Sequence, residues 1–191
     1  MKKRLFIALN LPIAIKAEIF KLIENLTTKN QNQPIKWVTQ ENIHLTLHFL
    51  GDTEENKMEE INSKLENLIA NFPPLNFELL AEVDAFPNLK EPQDIFLKIN
   101  EIGGNHIFSL HKKIGAALLN LGFQIDLRPF QLHLTLGRNK NHAYFQTIKN
   151  INFQPNQFQA DSVDLMASTL TPQGPIYNII KKYHLNNNQA R

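Results

Sequence analysis

His44-Leu45-Thr46-Leu47 recurs 89 residues later as His133-Leu134-Thr135-Leu136. Each copy lies in a stretch that reads as a β-strand. Side chains alternate faces along a strand, so His44 and Thr46 share one face while Leu45 and Leu47 take the other. The same holds for His133 and Thr135 against Leu134 and Leu136. Each motif commits its leucines to a core and presents an imidazole beside a hydroxyl. If the two strands face each other, one cleft holds two imidazoles and two hydroxyls.

That set suits phosphoryl chemistry. A neutral imidazole can take a proton from water while an imidazolium gives one to a leaving oxygen. Imidazole titrates near 6.5, so both forms are accessible near neutrality. The threonine hydroxyls can donate to non-bridging phosphate oxygens without adding charge. The scheme requires no metal, thiol or cofactor. A single His-x-Thr on a strand is more often a satisfied structural histidine; it is the duplication, flanked by leucines both times, that points to a paired site.

Two other readings compete. His44 and His48 have the spacing that chelates zinc on a helix. On a strand they stand about 13 Å apart, at roughly 3.4 Å per residue, and cannot share an ion; no clear third ligand is present. Alternatively, the chain is a noncatalytic RNA-end-binding module, in which Trp37, Phe49 and Phe130 stack bases and Arg128 and Arg138 contact phosphates. Trp37 and Phe130 read equally well as core. A binder has no need of a paired acid and base, so the duplication favours an enzyme. His106, His111, His142 and His184 lie outside the repeat and default to surface or structural roles. Lys2, Lys3 and Arg4 read as a solvated strand end.

The elements that must position the two motifs follow from periodicity. Lys3 to Leu11 reads as a strand, and Pro12 fits the first turn of a helix. Ile15, Ile19, Leu22, Ile23 and Leu26 form that helix's apolar stripe. Lys36-Trp37-Val38 is short and extended. Ile43 to Leu50 is a strand, ended by Gly51-Asp52-Thr53, with Thr53 as N-cap of a helix over Glu54 to Asn71. Pro73-Pro74 breaks it. Leu75 to Phe86 is extended, Phe86-Pro87-Asn88 turns the chain, and Ile95 to Ile99 is a short strand. A helix containing Ile107, Leu110, Ile114, Leu118 and Leu121 ends at Gly122, a natural C′ residue. Leu132 to Arg138 is a strand. Asn139 to Asn150 is polar and irregular, with room for a short helix. Phe158 to Leu170 and Ile176 to Leu185 read as two late strands, and Asn186 to Arg191 as a frayed tail. Strands paired locally between helices favour α+β over a doubly wound sheet.

Composition narrows the class. The chain has 191 residues, 42% of them hydrophobic, which excludes wholesale disorder. A net charge of +2 advertises no broad nucleic-acid footprint, so any RNA contact is local. Cysteine is absent, which removes disulfides and thiolate chemistry and is compatible with a reducing, cytoplasmic setting. No apolar run reaches the roughly 18–20 residues of a spanning helix, so no membrane partner is expected. The basic, then apolar N-terminus meets Asn10, Pro12, Lys16 and Glu18 where a signal peptide would be cleaved, and a strand followed by a helix explains it better. No linker rich in Gly or Ser marks two independent domains.

With these residues in place, the chain resembles the 2H phosphoesterase family, and within it the RNA 2′,3′-cyclic phosphodiesterase (2′-5′ RNA ligase) branch. The resemblance runs through Arg4-Leu5-Phe6-Ile7-Ala8, Lys36-Trp37-Val38, both motifs, Phe49-Leu50-Gly51, Phe86-Pro87 and Leu121-Gly122-Phe123. It continues in Arg128-Pro129-Phe130, Gly137-Arg138, Ser168-Thr169-Leu170, Gly174-Pro175 and Tyr177. It implies a bilobal α+β fold over residues 1–185, with two antiparallel sheets lining a central cleft and helices outside. It implies metal-independent hydrolysis of RNA 2′,3′-cyclic phosphate ends to 2′-phosphomonoesters. His44 would be the proton donor to the departing 3′ oxygen, His133 the proton acceptor from water, and Thr46 and Thr135 would bind the phosphate. The same framework can join RNA ends in a 2′-5′ linkage, since a hydroxyl can attack instead of water. The implied partner is an RNA or nucleotide with a 2′,3′-cyclic phosphate end, and no obligate protein partner is indicated. Two departures, Leu132 where the family usually has Pro, and His48 after the first motif, bear on substrate preference.

Phe49 and Arg138 stand five residues after His44 and His133. The resemblance suggests base stacking for Phe49 and phosphate or ribose contact for Arg138. Strict alternation would put both on the leucine face, so a bulge or strand end must turn them into the cleft.

Overall fold

The computed structural model describes residues 2–139, 141, 143–172 and 174–186. Its elements run β1 (Lys2–Asn10), α1 (Ile13–Lys29), β2 (Lys36–Trp37), β3 (His44–Glu54), α2 (Met58–Ile69), β4 (Leu75–Phe86) and β5 (Asp94–Ile102). They continue with α3 (His106–Asn120), β6 (His133–Arg138), β7 (Gln157–Ala160), β8 (Ser162–Thr171) and β9 (Gly174–His184). Two antiparallel sheets form, one ordered β3-β1-β8-β9 and the other β2-β6-β5-β4-β7. This is the two-lobed α+β arrangement that the resemblance implied.

The halves share a plan. β1 leads through α1 back to β3, its antiparallel neighbour; β5 leads through α3 back to β6, likewise. Each histidine motif opens the returning strand. Leu45, Leu47, Leu134 and Leu136 are all buried in one core with the apolar stripes of the three helices. A one-residue register slip would turn such leucines outward at about 1.5–3 kcal/mol each, so their burial pins the histidines to the opposite face. β1 is interior to its sheet and buried on both sides. Leu5, Ile7 and Leu9 join the main core, while Phe6 and Ala8 form a small second cluster with Met166, packed against by Tyr177.

Helix α3 is closed at both ends, at its C-terminus by the glycine that the sequence suggests and at its N-terminus by a carboxylate from β5. The Glu101 carboxylate accepts hydrogen bonds from the backbone N–H groups of His106 and Ile107, each 3.0 Å. At the other end Gly122 takes φ +81°. Its N–H bonds Leu119 O, and the Phe123 N–H bonds Leu118 O, a Schellman pair.

Four expectations need correction. The stretch Phe158 to Leu170 is not one strand: it breaks at Asp161, and β7 joins one sheet while β8 joins the other. The chain crosses between layers there, tied by the Leu185 N–H to Asp161 O. β3 does not end at Gly51. A register shift at Leu50 and the positive φ of Gly51 let it continue to Glu54, opposite Lys2. Thr53 is therefore a strand residue, its hydroxyl bonded to Gly51 O, and α2 begins five residues later after a 3₁₀ turn. Among the described residues of 139–150 there is no helix. Asn139, fully buried, holds the segment by exchanging side-chain hydrogen bonds with Ala143. His142 and the tail beyond Asn186 lie outside the described residues.

Candidate active site

The two histidines are held in the same way. His44 Nδ1 lies 2.7 Å from the carbonyl of Asn42, and His133 Nδ1 lies 2.7 Å from that of Gln131. A carbonyl only accepts, so each Nδ1 carries the proton. Each Nε2 is then the acceptor of the neutral ring. Each ring also sits between two aromatics. Phe6 and Tyr177 flank His44 at 5.1 and 5.2 Å between centroids; Phe86 and Phe96 flank His133 at 5.2 and 5.3 Å. Locked tautomers in apolar walls are what positioned proton transfer demands.

Sequence alternation fails in the same place twice. In β3, Ile7 pairs His48 and Ala8 pairs Thr46, which leaves Leu47 unpaired. In β6, Ile95 pairs Gly137 and Phe96 pairs Thr135, which leaves Leu136 unpaired. Each bulge restores the cleft face two residues further on. Phe49 is thereby exposed beside Phe6, 6.2 Å between rings, on the side that His44 occupies. Arg138 emerges exposed, paired to Asp94 at 3.4 Å.

The lobes meet at these groups. His44 is pushed down to about 4, chiefly by burial. The Asn42 hydrogen bond opposes that, and the charges of Lys16, Arg138 and His133 add to it. Arg138 also acts on Tyr177, partly offsetting the upward push that burial gives its phenol. Arg138 and His133 on one sheet thus lie within electrostatic reach of His44 and Tyr177 on the other. Thr46 Oγ1 is 2.9 Å from His44 Nε2, while His133 Nε2 bonds no described residue. His44, Thr46, His133 and Arg138 thus lie in mutual reach, and strand alternation puts Thr135 on the same face of β6 as His133, a constellation able to hold an anionic phosphorus centre between an acid and a base.

His48 is not part of it. The bulge turns it into the interior, where Nε2 is 2.9 Å from His111 O and its ring stacks on His111 at 4.0 Å. His111 stacks in turn on Phe130 at 4.1 Å, a structural role. Gly115 of α3 makes room, since a Cβ there would stand 3.1 Å from the His48 ring. His44 and His48 therefore cannot share a metal ion, and no group of three or more His, Asp or Glu among the described residues is arranged to hold one. Trp37 packs against the core and over Gly137, and Arg128 is occupied by Asp126 in its own loop.

The residue types in the motifs led to the site, but several groups that build it escaped that reading. Phe6, Phe86 and Phe96 form the walls; Phe6 and Phe86 fall in stretches that carry the resemblance, but nothing local marked any of the three as a wall of the site. A polar chain supports the His44 end: Lys16 Nζ bonds Asn10 Oδ1 and Glu41 O, and Asn10 Nδ2 bonds the buried Asp164 at 2.8 Å. Ser162 Oγ bonds the other Asp164 oxygen. Asn10 and Asp164 are 154 residues apart, so no local pattern marks them.

Comparison with known proteins agrees with this geometry. The model of a family described as LigT like Phosphoesterase matches residues 9–96 and 97–177, one match in each half. The RNA 2′,3′-cyclic phosphodiesterase of Methanocaldococcus jannaschii is 35% identical over 189 residues, covering 94% of this chain and 99% of that protein. That of Thermotoga maritima is 30% identical, covering 93% and 92%. Among solved structures, TT0787 of Thermus thermophilus superposes with a TM-score of 0.76 at 26% identity, covering 95% of this chain and 97% of that one. E. coli LigT complexed with 3′-AMP shares the fold, with a TM-score of 0.77 at 23% identity over 97% and 99%. The chain belongs to the LigT-like phosphoesterases, a family of 2H phosphoesterases.

Proposed function

We propose that this protein hydrolyses RNA 2′,3′-cyclic phosphate ends to 2′-phosphomonoesters, as an RNA 2′,3′-cyclic phosphodiesterase. The observation that carries the reading is the pair of identically tethered histidines, one from each sheet, sharing one cleft with Arg138. Full-length similarity to relatives named for this activity supports it.

The mechanism follows from the groups present. Thr46 and Thr135 donate to the non-bridging oxygens, and Arg138 supplies the countercharge. Phe49 offers its exposed face to the terminal base. His133 Nε2 takes a proton from water, whose oxygen bonds phosphorus as the P–O3′ bond breaks. His44 Nε2 gives its proton to O3′, leaving the phosphate on O2′. In the free protein, burial first, and then the nearby charges of Lys16 and Arg138, keep His44 neutral. A bound phosphate anion reverses that balance and lets His44 carry the proton it must donate. These steps leave no task for a metal.

Both lobes supply this site, which supports reading residues 1–185 as one functional unit. An RNA substrate and a cysteine-free chain suit a cytoplasmic location.

The test is product analysis after incubation with an RNA ending in 2′,3′-cyclic phosphate, in EDTA. A 2′-phosphomonoester is expected. A 3′-phosphomonoester or intact substrate overturns the reading; so does activity that disappears with chelation and returns with a divalent ion.

A further inference from the structure

His44 and His133 are tethered alike, but their tethers are anchored differently. The carbonyl that holds His133 belongs to Gln131, whose neighbours Phe130 and Leu132 both pack against the core. Phe130 is stacked on His111 as well. The carbonyl that holds His44 belongs to Asn42, the last residue of a single 3₁₀ turn, Gln40–Asn42, in which no residue is buried. Ile43, buried just after it, fixes one end of that turn. Polar side chains from remote elements fix the rest. Lys16 Nζ, on α1, donates to the Glu41 carbonyl at 2.8 Å. Asn42 Nδ2 donates to the Pro175 carbonyl, on β9, also at 2.8 Å.

Lys16 is itself held in place. It is half-buried, and its Nζ donates a second hydrogen bond to Asn10 Oδ1 at 3.2 Å. Asn10 ends β1 as the cross-strand partner of His44. Its Nδ2 donates to one oxygen of the fully buried Asp164, and Ser162 Oγ donates to the other. The Asn10 amide therefore has one orientation, oxygen toward the cation and nitrogen toward the carboxylate. Burial lowers the proton affinity of Lys16, while the carboxylates of Glu41 and Asp164 oppose that and favour the ammonium. A buried carboxylate is costly unless hydrogen bonds and a countercharge answer it. Lys16 and Asp164 form such a pair across the Asn10 amide, and the remaining reach of Lys16 is spent on the turn.

We infer that Lys16 and Asn42 are positioning residues for the proton donor: from opposite sides they clamp the Gln40–Asn42 turn, whose last carbonyl keeps a proton on His44 Nδ1 and leaves Nε2 to work on the departing oxygen. This rests on the donor role proposed above for His44. In a neutral imidazole, loss of the Nδ1–H bond lets the proton settle on Nε2 instead. That nitrogen could then no longer accept from Thr46 Oγ1, and the ring would turn. A misplacement of about 1 Å at a reacting group can cost about 10²-fold in rate. The Lys16 charge also lowers the proton affinity of His44, which makes the protonated ring a stronger acid.

The experiment uses the full chain and two variants. Lys16→Met keeps the aliphatic stem and removes the donor; Asn42→Ala removes the anchor on the other side. Hydrolysis of a 2′,3′-cyclic mononucleotide is followed at steady state, and nitrogen NMR shifts of the imidazole rings distinguish the two neutral tautomers. In the unmodified protein both catalytic rings are expected as the Nδ1–H form. In each variant kcat is expected to fall about 10-fold or more with KM within about twofold, the pattern of a group needed in the transition state. An Nε2–H population is expected at His44 and none at His133. Should Lys16→Met not fold, Asn42→Ala, outside the core, carries the test alone. Folded variants that keep the unmodified kcat overturn the clamp. So does a fall in kcat with the His44 tautomer unmoved, because the loss then arises elsewhere. An unmodified protein that hydrolyses nothing overturns the proposed activity instead, and with it the donor role that the clamp serves.

Discussion

Leu47 and Leu136 occupy the same bulge in two different sheets: each stands three residues past its histidine, and each lacks a register partner on the neighbouring strand. The bulge is what brings Phe49 and Arg138 back to the catalytic side. Those two residues should affect binding more than turnover. Phe49→Ala is expected to raise KM for a cyclic nucleotide several-fold, with kcat within about twofold and no loss of stability, because the ring is 60% exposed. Arg138→Ala should raise KM about 10-fold or more. Steady-state kinetics that show kcat falling alone would reverse these roles.

His44→Ala and His133→Ala should each lower kcat by about 10²-fold or more, the usual scale for a positioned proton-transfer group. The double variant should lose far less than the product of the two, because the groups act as a unit. Unaltered turnover in either single variant would remove that histidine from the mechanism.

The low proton affinity of His44 in the free protein shapes the pH profile. kcat/KM reports the free enzyme and kcat the occupied one. A bound anion raises His44 from about 4, so the protonated acid persists to higher pH in the complex. The descending limb of kcat should therefore lie at higher pH than that of kcat/KM. Inorganic phosphate should move the His44 NMR titration upward. Coincident limbs and an unmoved titration would count against a shared anion site.

Acid should destabilise the fold. His44 and His111 are both held down to about 4, in each case chiefly by burial, and His48 is also lowered by burial. A depressed value means that the unfolded chain binds the proton more readily. The contribution is thus whole above about pH 6.5 and is lost as pH falls toward 4. Denaturant midpoints should fall across that window. His111→Phe, which retains a ring between His48 and Phe130, should flatten the fall.

Gly137→Ala should cost about 1–3 kcal/mol, since a Cβ there would stand 2.7 Å from the Trp37 ring and β2 would have to yield. Thermal melting measures it. An unchanged midpoint would mean that Trp37 can move aside freely.

Local pattern determined much of this protein. The alternation His-Leu-Thr-Leu commits each motif to one buried and one open face, because leucine burial and strand geometry are properties of a few adjacent residues. The stripes of α1 and α3, and Gly122 closing α3, were legible for the same reason. Thr53, the break at Asp161 and the unpaired Leu47 and Leu136 were not: bulges and layer changes are set by what a strand pairs with. Only the tertiary structure decided that the two motifs share a cleft. That follows from which strands become neighbours in two sheets and how those sheets pack, contacts between residues as remote as Asn10 and Asp164. Such contacts leave no periodic trace in the chain.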